Sequence, residues 1–287
     1  MVKMEFEIAL NYVVSSATAD FVFNIHAAQT QCQSVLIENL TTDQAVTTNL
    51  YTESDTGNRW LRLQAGAGQF NVHYSATVTL AHVIAAPMQL TEVPIAQLPP
   101  TVLPYLRPSR YCQSDRLHRL AFYEFGHLSP GYARVQAIQN WVRGRVTFRP
   151  QTSDVSTSAM DTLVEQVGVC RDFAHLMIAL CRALNIPARF TTGIDYGSDA
   201  ALGPIDFHAY VEVFLSGRWY IFDPSGLAMP MGFVRFGTGR DASDAAFATM
   251  FGSVQANMPQ IKVRAVEDSR NNYVLPFHTG DLLSTDP

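Results

Sequence analysis

Three side chains that together support nucleophilic thiol chemistry stand in order along this chain: Cys170, His208 and Asp223. Cys170 opens an apolar run within Gly168-Val169-Cys170-Arg171-Asp172-Phe173-Ala174-His175. His208 lies in the strand-like stretch Asp206-Phe207-His208-Ala209-Tyr210, and Asp223 closes the next such stretch before Pro224. A thiol, an imidazole base and a carboxylate that orients the base form an acyl-transfer centre if the fold brings them together.

The spacing gives each residue a role. The N-terminus of a helix carries about half a positive charge and free N–H groups, both of which favour a thiolate at Cys170. Gly168 is expected to leave room for a substrate, and the Cys170 N–H to face a developing oxyanion. Ser216-Gly217 reads as a two-residue hairpin turn. That turn sets Leu215 against Arg218 and Asp223 against Tyr210. His208 and Asp223 then become diagonal neighbours on one sheet face, within reach of each other. An odd loop length would put them on opposite faces.

The other candidates are weaker. Arg171 and Asp172 fall in the first helical turn and are expected to make a supporting salt bridge. His175 lies roughly 140° around the helix from Cys170 and suits a core hydrogen bond. His26, His73, His82, His118, His127 and His278 have no partners at ligand spacing and read as structural or exposed. No pattern implies a cofactor or a metal. Cys32, Cys112, Cys170 and Cys181 form no metal motif. Cys170 and Cys181 sit roughly 16 Å apart on one helix, too far for a disulfide, which fits a reducing, cytoplasmic setting.

The elements that must position these residues follow from periodicity. Residues 1–93 read as a β-sandwich, with strands over Val2–Val14, Phe21–Ala27, Ser34–Asn39, Ala45–Tyr51, Arg59–Leu63 and Phe70–Val83. Pro94, Pro99, Pro100, Pro104 and Pro108 mark a linker over 94–108. Residues 109–287 then mix helices and strands. Helices are expected over Asp115–Phe125, Tyr132–Arg143, Ser158–Gly168 and Cys170–Leu184, the third opened by a capping box of Ser158 and Asp161. Strands are expected over Ala188–Asp195, Phe207–Leu215, Arg218–Asp223 and Gln260–Ala265, with a short Ala-rich helix over Asp241–Phe251. The apolar segment around Met229, Met231 and Phe233 is placed to cover the site.

Composition narrows the function classes. A 47% hydrophobic and 16% charged chain of 287 residues builds a sizeable core. A formal charge of -5 argues against a nucleic-acid partner. No apolar segment has the length and flanks of a membrane anchor or a signal peptide. Only two lysines, Lys3 and Lys262, accompany eighteen arginines.

The chain resembles the bacterial transglutaminase-like superfamily, in its cysteine-protease subgroup with an N-terminal β-domain. The resemblance runs through Pro108-Ser109-Arg110-Tyr111, the Gly168–His175 motif, Arg182-Ala183-Leu184, Ile186-Pro187-Ala188-Arg189 and Asp206–Glu212. It continues through Trp219, Asp223-Pro224 and Gly239–Asp244. It implies an α+β fold: a β-sandwich followed by a papain-like core, with a nucleophile helix packed on an antiparallel sheet. The triad it implies is Cys170, His208 and Asp223. Tyr210 and Ser225 stand where the family often has tryptophan and threonine, and Thr192-Gly193-Ile194-Asp195 lacks the aromatic often found after the glycine.

Three functions follow as expectations. The first is thiol-dependent acyl transfer on a protein or peptide amide, with water rather than an amine as acceptor because no amine site stands out. The second is a non-catalytic binding module. The third is a thiol acetyltransferase with a nucleotide-linked donor, for which no phosphate-cradling glycine loop is found. The sequence leaves the oligomeric state open.

Overall fold

The computed structural model describes residues 1–197 and 205–286. The N-terminal region forms strands β1 (Val2–Phe23), β2 (Gln33–Thr42), β3 (Asn49–Thr52) and β4 (Arg59–Leu80) in one antiparallel sheet. In β1 the even-numbered residues Val2 to Val14 are buried; past a register break between Val14 and Thr18, the buried residues are Ala19, Phe21 and Phe23. β4 mirrors this, with Leu61, Leu63 and Ala65 buried and then Phe70, Val72 and Tyr74. Such a parity switch marks a bulge, where the strand bends.

The bend doubles the hairpin over. The ring of Tyr12 lies 5.1 Å from that of Phe21, nine residues on, whereas an extended strand would part them by roughly 30 Å. Gly68, at φ 109°, takes a conformation at the fold line that L side chains rarely adopt. One sheet thus supplies both layers of the expected sandwich. Val2–Val14 and Phe21–Ala27, expected as separate strands, belong to β1. Arg59–Leu63 and Phe70–Val83 similarly belong to β4. Small residues at the fold line (Ser15, Ser16, Gly66, Gly68) imitate turns.

A short strand β5 (Val83–Ala85) leads into single 3-10 turns at Pro87–Gln89, Ile95–Gln97 and Leu103–Leu106. Leu98 and Val102 pack with Phe214 and Trp219, so the proline-rich stretch is docked on the core. Next come α1 (Ser114–Phe125), α2 (Tyr132–Arg145), β6 (Thr147–Phe148), α3 (Ala159–Glu165), β7 (Val167–Gly168) and α4 (Cys170–Ala183). The Ser158 N–H and hydroxyl both donate to Asp161, at 2.9 and 2.6 Å, and start α3 as expected.

α4 is apolar nearly all round and every residue from Asp172 to Ala183 is buried. It packs on a four-stranded antiparallel sheet of β8 (Ala188–Ile194), β9 (Phe207–Leu215), β10 (Arg218–Phe222) and β11 (Val234–Gly239), ordered β10-β9-β8-β11. Alternation along β9 divides the two faces. Ala209, Val211 and Val213 join the core that contains α4, and Tyr210 joins the core built by β1 and β4. The sheet is therefore sandwiched between the nucleophile helix and the N-terminal β-unit.

The chain then returns to β1 as β12 (Ala248–Phe251), β13 (Val254–Ala256) and β14 (Gln260–Val266). No helix forms over Asp241–Phe251, contrary to its alanine content. The Asp241 carboxylate accepts from the Ser243 N–H and hydroxyl and from the Tyr111 N–H, which fixes a turn. Beyond it, pairing with β1 overrides helix propensity. A last strand, β15 (Leu282–Ser284), pairs with β5. Just after it, Asp286 accepts from Arg189 at 2.5 Å and Arg235 at 3.0 Å, while Arg189 also donates to Glu212 at 2.7 Å. Among the described residues no helix is long and apolar enough to cross a membrane.

Candidate active site

Cys170 begins α4 and is half-buried, whereas Cys32, Cys112 and Cys181 are buried. Burial pushes the Cys112 thiol up to about 12 and the Cys181 thiol well above its ordinary range. The loop ahead of Cys170 is pinned by Asp172, fully buried in the first helical turn. Its Oδ2 accepts the Val169 N–H at 2.8 Å, its Oδ1 accepts the Ser153 hydroxyl at 2.9 Å, and Arg171 Nε lies 3.4 Å away. The expected Arg171–Asp172 salt bridge is present.

Gly168 serves a different purpose from the one its sequence position suggested. A Cβ there would lie 2.8 Å from the Asp172 Cβ and 2.9 Å from its Oδ2. The glycine makes room for the cap on α4, not for a substrate. β7 also pairs in parallel with β6, setting Phe148 against Gly168.

His208 is reached through the hairpin. Ser216 and Gly217 have φ of 48° and 86°, the left-handed pair that a two-residue type I′ turn needs. Leu215 faces Arg218 and Val211 faces Phe222, the register expected. His208 and Asp223 consequently share a face, with Nε2 3.5 Å from Oδ1. That is close enough for charge attraction and long for a hydrogen bond; such contacts tighten as charge develops on the ring. Asp223 Oδ1 also accepts the Ser225 hydroxyl at 2.6 Å and N–H at 3.0 Å, and Arg143 donates to the Asp223 carbonyl at 2.7 Å. Phe233 lies against the imidazole, centroids 4.9 Å apart, and stacks on Tyr210 at 4.7 Å. The apolar segment after Asp223 thus does wall the ring.

The sulfur of Cys170 lies 4.0 Å from the carbonyl oxygen of Phe207, the residue before His208. Burial disfavours the charged imidazole. The attraction of Asp223, with Cys170 near the ring, outweighs it and holds the His208 pKa well above its ordinary value. For Asp223, burial favours the neutral acid, but His208 and the Ser225 hydrogen bond hold its pKa below the usual carboxylate value. The arrangement can keep an imidazolium beside a sulfur at a helix N-terminus, the setting that activates a thiol. Asp223 also borders a groove of about 340 Å³ lined with Tyr132, Arg143, Met231 and Phe277.

One residue escaped the sequence reading. Asp195, just after β8, places Oδ2 4.0 Å from His208 Nδ1, on the opposite side of the ring from Asp223. The pairing of Gly193 with His208 brings it there. The signal was available as two strands ending on facing acids, Asp195 and Asp206, but the β8–β9 register was not set by any turn. His175 behaves as expected: it stacks on Tyr111 at 5.0 Å, and its Nε2 accepts the Ala242 N–H at 3.2 Å. Among the described residues no group of acids, histidines and cysteines is placed to hold a metal.

Comparison with known proteins gives this geometry a family. The transglutaminase-like superfamily core matches residues 122–224, and the bacterial transglutaminase N-terminal domain matches residues 2–101. A solved structure from Cytophaga hutchinsonii, described as a "putative cysteine protease", is 36% identical with a TM-score of 0.91, covering 99% of this chain and 97% of that one. The chain belongs to the transglutaminase-like superfamily, whose chemistry is thiol-dependent acyl transfer. Uncharacterized proteins of Mycobacterium leprae and Mycobacterium tuberculosis are 32% and 31% identical over 117 and 109 residues. Those matches span 39% and 34% of this chain, and 42% and 35% of the relatives' own lengths.

Proposed function

We propose that the protein is a cysteine peptidase or amidase that opens peptide or isopeptide amide bonds, with Cys170 as nucleophile, His208 as base and acid, and Asp223 as the residue that orients the ring. The observation that carries this reading is the His208 imidazole meeting Asp223 through Nε2 at 3.5 Å while the Cys170 sulfur, at the start of α4, lies 4.0 Å from the carbonyl oxygen of the adjacent Phe207. With its proton already held by the His208 imidazolium, the Cys170 thiolate adds to the amide carbonyl carbon. The resulting oxyanion draws on the Cys170 N–H and the positive end of α4. The C–N bond then breaks, His208 returns the proton to the departing nitrogen, and a thioester remains on Cys170. Water attacks the thioester, gives its proton to His208 and releases a carboxylic acid, restoring the thiol. Four unpaired thiols suit a reducing compartment, and we place the protein in the cytoplasm on that ground.

A peptide-library digest read by mass spectrometry, with and without an added amine, tests the reading. Cleaved bonds bearing new carboxylates, formed by the wild type and absent with Cys170→Ala, are expected. A library left intact by folded wild-type protein would count for a non-catalytic module instead.

A further inference from the structure

We propose that Asp195, with Asp206 facing it across the strand ends, forms a subsite for a positive charge on the amine side of the transferred bond: an ammonium or a guanidinium. This rests on the acyl-transfer reading above and names the chemistry its substrate must carry.

The β8–β9 register pairs Gly193 with His208 and Ile194 with Phe207. Asp195 and Asp206 each lie one residue beyond that register, at the two strand ends. Like charges directly opposite on a sheet destabilise it, so a fold gains nothing by keeping this pair for its own sake. Asp195 is only 9% exposed, and its Oδ1 has no hydrogen-bond partner although it is buried. An unpartnered buried carboxylate oxygen is costly and calls for a cation.

Among the described residues, no basic side chain other than the imidazole is paired with Asp195. Residues 196–205, which join the two acids, contain no lysine, arginine or histidine. On the neighbouring strand, Arg235 is committed to Asp286 and to the Thr56 carbonyl. Burial first, and Asp206 with it, raise the Asp195 pKa, and His208 only partly opposes them.

Position decides which part of a substrate is read. Asp195 lies by Nδ1, the ring nitrogen turned away from Asp223, which in the proposed mechanism exchanges protons with the departing amine. A cation held there sits on the leaving or incoming side, not the acyl side. It would also neutralise a carboxylate that otherwise repels a thiolate at Cys170.

Protection of Cys170 from iodoacetamide, read as the rate of the mass shift, tests the subsite without needing a substrate. Ethylguanidinium and butylammonium should each slow labelling saturably, while ethylurea and 1-butanol, similar in shape but neutral, should not. Asp195→Asn should raise the half-protecting concentration roughly tenfold, since it removes a charge-assisted contact. Asp206→Asn, at the exposed rim, should raise it less. Protection by both cations assigns the charge to a substrate side chain; protection by butylammonium alone assigns it to the amine that joins or leaves. Equal protection by the neutral compounds, or unchanged protection in Asp195→Asn, would overturn the subsite. So would an Asp195→Asn effect confined to the pH profile of unprotected labelling, which would mean that the acid acts only on the ring. An unprotected Cys170 no faster than an ordinary free thiol would instead sink the acyl-transfer reading, and the subsite with it.

Discussion

His208 lies between two carboxylates of different character. Asp223 is buried, faces Nε2 and is held through Oδ1 by Ser225; Asp195 faces Nδ1, and each acid keeps one oxygen without a hydrogen bond. The raised His208 pKa means the imidazolium persists above the ordinary histidine range and is lost as pH rises through the folded value. Asp223 works the other way: its carboxylate holds the ring above the unfolded carboxyl pKa, and the pairing is lost as pH falls through its depressed value. Asp223→Asn keeps the shape and removes the charge. The alkaline limb of the Cys170 labelling profile should then move to lower pH by about one unit or more, as measured by rate against pH. A limb that stays in place would show that Asp223 does not set the charge on the ring. The juxtaposition of His208 and Asp223 could be read from the sequence because a two-residue turn fixed their register, and the place of Cys170 because a helix start is a local signal. Asp195 could not, since its position depends on a strand pairing between segments that no short turn joins.

At the scale of elements, the start of α4 depends on one buried carboxylate. Asp172→Ala leaves the Val169 N–H and the Ser153 hydroxyl without their acceptor and opens a space beside Gly168. A loss of about 1–3 kcal/mol in denaturant unfolding is expected, together with slower Cys170 labelling as the loop loosens. Gly168→Ala should be harmful for a related reason, because its Cβ would collide with Asp172; a loss in Gly168→Ala/Asp172→Ala smaller than the sum of the two single losses would confirm the shared cause. The sequence placed α4 and the β9–β10 hairpin well, because apolar periodicity and the Ser216-Gly217 turn are local signals. It split β1 and β4 because Ser15, Ser16, Gly66 and Gly68 resemble turns, and it took Asp241–Phe251 for a helix. The outcome there was decided by distant pairing with β1, which no local pattern encodes.

Across the whole molecule, the N-terminal β-unit and one face of the sheet that carries His208 share one core. Phe233, which lies against the imidazole, and Tyr210, which stacks on Phe233, belong to the same buried cluster as Phe6, Tyr74 and Phe236. Phe6 and Phe236 meet at 5.6 Å, joining β1 to β11. Phe236→Ala should cost about 3–5 kcal/mol and lower activity together with stability, as read by unfolding and by labelling of the same sample. The buried charges Glu212, Arg189, Asp286 and Arg235 tie the last residues to this sheet. Asp286→Ala takes the acid partner from Arg235, which keeps the Thr56 carbonyl, and leaves Arg189 to Glu212; a loss of about 1–3 kcal/mol is expected. A β-unit that unfolds separately, seen as two transitions, would contradict the shared core.

The central claim is that the imidazole of His208 activates the sulfur at the tip of α4. The rate of iodoacetamide labelling of Cys170 at mildly acidic pH, compared between wild type and His208→Ala by mass spectrometry, tests it most directly. The account predicts fast labelling of the wild type, far above that of the buried thiols, and a large fall in His208→Ala with the fold intact. Equal rates in the two proteins would contradict it.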